Sequence, residues 1–197
     1  MKKIMVGTSN PAKLEEYKRF LSEFGLEVVS SKQMNIPEPE EVAKTFEEEA
    51  VKKARYYFEK SGIPTIVDDG GFEIEALNGE PGTRSKRWLG HEMTDEEIIS
   101  EVSKRMQGQS NRSAQHTVVI AIASPLGVYT SSGHIKGQIA DKPSSKVIAK
   151  FPYRSVLYLP GYGKYWCEMS EEEEKILSHR IHALGKLKDI LREISKS

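Results

Sequence analysis

A single cysteine, Cys167, stands in 197 residues. That excludes an intramolecular disulfide and suits a reducing compartment. No apolar run is long enough to cross a bilayer, and the opening MKKIMVGTSN carries too short an apolar stretch for a secretory signal. Net charge is also absent, since 29 Lys+Arg balance 29 Asp+Glu, so charge points to neither a nucleic-acid nor a membrane partner. The chain has no internal repeat and no linker rich in Pro, Gly or Ser. It therefore reads as one domain over residues 1–197, a length that also allows two small lobes sharing a cleft. With 38% hydrophobic and 29% charged residues, the composition is that of a cytoplasmic globular enzyme or binding protein with a normal core.

What is present alternates between strand and helix signals. Lys3–Thr8 reads as a short buried strand, Ser9-Asn10-Pro11 as a turn, and Leu14, Tyr17, Phe20 and Leu21 as the apolar stripe of a helix. Gly25–Ser30 predicts a second strand and Thr45–Lys60 a helix. Pro64–Val67 predicts a third strand that ends at Asp68-Asp69, and the alternation after it, from Phe72, a half-buried strand. Thr94 with Glu97, and Ser170 with Glu173, have capping-box spacing. The first opens a helix to about Met106; the second opens one amphipathic helix over the remainder of the chain. Residues 116–123 predict a strand, and residues 127–140 a hairpin or two short strands. Strand–helix alternation early, with strands clustered in the middle, argues for an α/β fold on a mixed sheet with a second lobe.

Two stretches carry chemistry. In TSNPAK (8–13) a hydroxyl, an amide and the Lys13 ammonium sit at the mouth of a helix N-terminus, where backbone N–H groups and the dipole attract phosphate. The glycine spacing of a P-loop is absent, and a plain cap and turn is the structural alternative. In IVDDGG (66–71) two adjacent carboxylates repel unless a cation, hydrogen bonds or water offsets them. A carboxylate at the C-terminal end of a strand lies where open α/β sheets place ligands. Magnesium is held by one or two carboxylates plus waters and phosphate oxygens, so Asp69 with Glu40 or Glu41 fits such a site. The alternatives are an Asp-Gly turn, and a solvated loop for the Glu38–Glu41 cluster. A phospho-acceptor pair of the receiver-domain kind would follow the first strand, not the third.

Taken together, these stretches resemble the inosine/xanthosine triphosphate pyrophosphatases, which remove deaminated purine nucleotides. TSNPAK (8–13) matches the family's T-x-N-x-x-K turn, and EEVAKTFEEEAVKKA (40–54) its acidic loop and F-x-E-N-A-x-x-K-A helix, with Glu49 in place of the asparagine. VDDGGFEIEALNGEPGTRSKR (67–87) follows D-D/S-G-L and A-L-x-G-x-P-G-x-x-S-x-R, and CEMSEEEEKILSHRIHAL (167–184) the block ending S-H-R-x-x-A-L. The resemblance runs from residue 2 to about 190.

It implies an elongated mixed β-sheet with flanking helices, and two lobes around a central cleft. It implies magnesium-dependent hydrolysis of ITP, dITP or XTP to the monophosphate and pyrophosphate, by a homodimer. Asp69 becomes the catalytic base and a metal ligand, joined by Glu41, with Glu40 or Glu38 as rivals. Thr8, Ser9, Asn10, Lys13 and Lys53 hold the triphosphate, and Gly70 lets it approach. The base falls to Phe151 and Tyr153, in the stretch where the chain departs from the family, and to Ser178, His179 and Arg180, which are intact. Arg154 replaces an aspartate there, and Glu174 stands where the family has a lysine, with Lys175 one place later. The two reversals suggest mutual compensation, Arg154 donating and Glu174 restoring the lost carboxylate. A carboxylate only accepts, so Glu174 favours a base that presents N–H groups. A different base preference, or binding without catalysis on the same scaffold, are the competing readings.

Overall fold

The computed structural model describes residues 2–8, 10–40 and 43–196, the side chain of Ala12 excepted. In order these form β1 (Lys2–Val6), α1 (Pro11–Ser22), β2 (Leu26–Ser30), α2 (Phe46–Ser61), β3 (Thr65–Ile74), β4 (Pro81–Gly82), α3 (Asp95–Arg105), β5 (Ser113–Ser124) and β6 (Gly127–Ile139). There follow α4 (Tyr153–Val156), β7 (Leu157–Leu159), β8 (Lys164–Tyr165), α5 (Glu171–Leu177), α6 (His179–Lys186) and α7 (Lys188–Lys196). The strands make a mixed sheet in the order β2-β1-β3-β5-β6-β7-β8, with β4 paired to β3. The chain divides into two compact units: residues 1–69, 118–133 and 179–197, and residues 70–117 and 134–178. No helix of the described residues is long and apolar enough to cross a membrane.

The first unit is built on parallel pairing. Lys2–Val6 runs beside Leu26–Ser30 in register, and Met5 and Val6 face Thr65 and Ile66. Parallel strands are covered on both faces, so their residues are apolar on both. Alternation then sorts them. Ile4, Val6, Ile66, Val118, Ile120 and Ile122 join a core with Tyr17, Phe20 and Leu21 of α1 and the apolar side of α6 and α7. Met5, Val67, Val119 and Ala121 join a second core with Phe46, Ala50, Ala54 and Tyr57 of α2. Gly7 is where that second core closes on the backbone: a Cβ there would lie 2.6 Å from the Tyr57 ring.

The second unit packs Phe72, Ile74, Trp88, Ile98, Val102, Ile139, Tyr153, Leu157 and Trp166 into one core. Helix starts match the sequence signals, since Thr45, Thr94 and Ser170 each cap a helix in a reciprocal capping box with Glu48, Glu97 and Glu173.

Three expectations fail. The third strand does not stop at the acidic pair: β3 continues through Asp68-Asp69-Gly70-Gly71 to Ile74. Tertiary partners fix the extension, because the Phe72 N–H donates to Ser85 Oγ (2.8 Å) and Phe72 and Glu73 pair with Gly82 and Pro81. The stretch after Gly127 is one 13-residue strand rather than a hairpin. The C-terminal stretch is three helices, broken at Ser178 (φ −53°, ψ 103°). Its residues serve different cores, Leu177 in the second unit and Ala183 to Ile194 in the first.

Candidate active site

Since β3 is continuous, Asp68 and Asp69 are successive strand residues and project to opposite faces. This is how the chain tolerates the pair: each carboxylate has its own cation. Asp68 is buried, its side chain 2% exposed, and its Oδ2 lies 2.8 Å from Lys13 Nζ on α1 and 3.1 Å from the Arg180 guanidinium on α6. Asp69 Oδ1 lies 3.3 Å from Lys53 Nζ on α2, the helix of the other face. Burial raises the Asp68 pKa, but the Lys13 charge, then that of Arg180, and hydrogen bonds from both outweigh it and hold the carboxyl well below the usual range.

Arg180 also donates to Glu16. Burial lowers its pKa, and the Asp68 charge, with the charge and hydrogen bond of Glu16, more than reverses that, so the guanidinium stays charged. The fully buried Tyr17 hydroxyl completes the group; burial and then the Asp68 charge push it well above its ordinary value. The α6 backbone that carries Arg180 is pinned to β6 by Ser131 Oγ to Ala183 O (2.8 Å) and Lys186 Nζ to Ser132 O (2.7 Å). Gly133 is required there: a Cβ on it would lie 2.0 Å from the carbonyl oxygen of His179.

The TSNPAK turn forms a cap. Thr8 Oγ1 accepts from the Asn10 N–H at 3.2 Å, and Asn10 Oδ1 accepts from the Lys13 N–H at 3.3 Å. Thus Thr8, Asn10 and Lys13 are adjacent at the start of α1, while Ser9 lies outside the described residues. Of the acidic loop, Glu41 also lies outside them; Glu38 and Glu40 are exposed, and the Glu40 carbonyl accepts from Lys52 Nζ at 2.6 Å. Glu49, in the asparagine's place, is buried and accepts from the Ala43 N–H at 2.8 Å. Among the described residues no three His, Cys, Asp or Glu side chains gather as a metal-ligand set.

The segment predicted to hold the base lies mostly in the second unit. Phe151 is 47% exposed and offers an open ring. Tyr153 does not: its ring is buried, stacked on Phe72 with centroids 4.4 Å apart, and its hydroxyl donates to the Ser85 carbonyl at 2.6 Å. Arg154 and Glu174, the two charge reversals, pair with each other. The Arg154 guanidinium carbon lies 4.8 Å from the centre of the Phe151 ring and 4.7 Å from that of Trp166. Gly70 and Lys175 are exposed, Ser178 is half-buried at the helix break, and His179 is buried at the start of α6. The cavity of about 560 Å³ lined by Glu73, Gln115 and Lys136 includes none of these residues.

Sequence reasoning singled out the Asp68-Asp69 pair but gave Asp68 no role of its own, and it missed Glu16 and Tyr17 as neighbours of that carboxylate. Glu16 and Tyr17 lie three and four residues after Lys13, the spacing that shares one helix face. That was the available signal. Arg180 is 112 residues from Asp68, which no local pattern reveals.

Fold and site together define the class: a mixed α/β protein in which an interior strand carries two carboxylates, each answered by a helix lysine. The chain belongs to the Ham1 family, whose model matches residues 4–190 and so takes in both units. It is 35% identical over 201 residues to a dITP/XTP pyrophosphatase of Yersinia pseudotuberculosis, covering 98% of this chain and 100% of that protein. Among solved structures, a HAM1 protein from Coxiella burnetii superposes with a TM-score of 0.89 at 32% identity, over 98% of this chain and 100% of the other. The Ham1 protein of Staphylococcus aureus gives 0.88 at 29% identity, over 98% and 99%.

Proposed function

We propose that this chain is a nucleoside triphosphate pyrophosphatase that hydrolyses deaminated purine nucleoside triphosphates (ITP, dITP and XTP) to the monophosphate and pyrophosphate. The observation that carries the reading is Asp69 on β3 with Lys53 at 3.3 Å, in a chain similar over its full length to dITP/XTP pyrophosphatases. The chemistry is positioning and electrostatics. Asp69, part-exposed, takes a proton from the attacking water as the water oxygen bonds to phosphorus. The α–β phosphoanhydride bond breaks, and its electron pair leaves with the pyrophosphate. Lys53 and Lys13 stabilise charge on the phosphates, with Thr8 and Asn10 shaping the turn that presents Lys13.

The donor set fits magnesium: Asp69 offers hard carboxylate oxygen, and a site with few protein ligands suits an ion that keeps waters and phosphate oxygens. Asp69 would hold it, with Glu41 as second ligand and Glu40 or Glu38 as rivals. When bound, magnesium supplies charge neutralisation on the phosphates. The same reading makes the enzyme cytoplasmic and homodimeric, which sedimentation velocity checks for the assembly. Product analysis tests the activity: ITP with Mg²⁺ should give IMP and pyrophosphate in equal amounts, and EDTA should stop it reversibly. IDP with inorganic phosphate would refute the cleavage site.

A further inference from the structure

We infer that Asp68, which the proposed reaction does not use, is a positioning residue: it holds the Lys13 ammonium in place for the phosphate chain and so sets the affinity for that chain. The inference rests on the pyrophosphatase reading above and adds the residue that makes Lys13 effective. Every side chain it invokes belongs to the first unit.

Lys13 is fixed at both ends. At the backbone, its N–H donates to Asn10 Oδ1 at 3.3 Å in the cap of α1. At the tip, Nζ lies 2.8 Å from Asp68 Oδ2, on a side chain only 2% exposed. A lysine stem gives up much rotamer freedom when it is held in one place. The pair with Asp68 imposes that loss in the folded protein, before any ligand arrives, and preorganisation of this kind strengthens binding. An ammonium has three donors, and Asp68 accepts from one of them. The Lys13 side chain is 31% exposed, so its other donors are open to phosphate oxygens.

Asp68 is itself held from a second direction. The same Oδ2 accepts from Arg180 Nε at 3.3 Å and from Nη2 at 3.1 Å. Glu16, on α1 with Lys13, pairs with Arg180 as well. Arg180 rides on α6, whose seat on β6 is fixed by Ser131 and Lys186. The carboxylate therefore stays put whether or not Lys13 also engages a ligand. Asp69 projects to the opposite face and has its own lysine, Lys53, so Asp68 acts on the phosphates through Lys13.

The test is a double-mutant cycle read by calorimetry with inorganic tripolyphosphate in Mg²⁺ buffer. That probe carries no base, so it reports on the phosphate side alone. The proteins are the wild type, D68N, K13M and D68N/K13M. K13M should weaken binding about 30-fold and D68N about tenfold. The double variant should bind no more weakly than K13M alone, because the two residues act as one. With ITP, the loss in D68N should appear in KM, with kcat within about threefold of the wild type. Removing a negative charge beside an anion site tightens binding by itself, so a fall in D68N identifies positioning. Unchanged or tighter binding in D68N, or a double variant that loses the product of the single losses, would overturn the inference. A wild type that cleaves ITP without binding tripolyphosphate overturns it too and leaves the pyrophosphatase reading standing. A wild type that binds tripolyphosphate and cleaves no triphosphate overturns only the pyrophosphatase reading, and the cycle still decides the role of Asp68. Thermal unfolding checks each variant. If D68N does not fold, E16Q carries the test: it gives Arg180 wholly to Asp68 and loosens Lys13. Binding should then fall about threefold in E16Q and not at all between K13M and E16Q/K13M; unchanged binding in E16Q would overturn the inference.

Discussion

Asp68 and Asp69 are neighbours in sequence and have different work. Asp68 is buried between Lys13 and Arg180, so its loss removes the buried carboxylate that both cations share and leaves the mostly buried Arg180 to Glu16. Asp68→Asn should therefore cost about 3 kcal/mol of unfolding free energy in urea titrations. Lys13→Ala should cost only about 1 kcal/mol, since Lys13 is partly exposed and Arg180 still answers the carboxylate. The acid limb follows with its sign. The folded-state pKa of Asp68 is held below the unfolded value of about 3.9. Its stabilisation is complete above about pH 4 and is lost as pH falls from there toward the folded value. The wild type should lose stability across that window, and Asp68→Asn should lose less; parallel acid limbs in the two proteins would contradict the assignment. Of this arrangement the sequence showed the pair and its lysines by motif spacing, but not which lysine answers which carboxylate. Strand alternation decides that, and DDGG reads as a turn when seen alone.

At the scale of elements, caps were legible and long-range pairings were not. Thr94 with Glu97 and Ser170 with Glu173 mark helix starts because their hydrogen bonds are local. The extension of β3 through two glycines depends on Ser85 and on Gly82, ten or more residues away. Likewise the C-terminal periodicity suggested one helix, whereas the break at Ser178 reflects two separate cores. The seat of α6 on β6 is testable at Gly133. Gly133→Ala drives a methyl onto the His179 carbonyl and should destabilise by about 2 kcal/mol. Gly161→Ala, where a Cβ meets nothing within 4 Å, should stay within about 0.5 kcal/mol in the same denaturation series. Equal stabilities for the two variants would mean that α6 does not rest where the structure puts it.

For the whole molecule, the mixed α/β architecture and the family followed from motif order, because four separated stretches keep their spacing across residues 4–190. The base segment was the least legible part. It departs from the family at residues 154 and 174; the sequence suggested that the two reversals compensate, and the structure pairs them. Tyr153 was expected to contact the base and is instead a core residue stacked on Phe72. On the proposed function, Asp69 performs pyrophosphate-releasing chemistry on deaminated purine triphosphates. Its most direct test is pyrophosphate release from ITP, dITP, XTP and the four standard triphosphates with Mg²⁺, by the wild type beside Asp69→Asn. Release should be fast from the deaminated purines and fall at least about 100-fold in the variant, which should still bind nucleotide. An Asp69→Asn enzyme that keeps wild-type turnover, or a wild type silent across the panel, would contradict it.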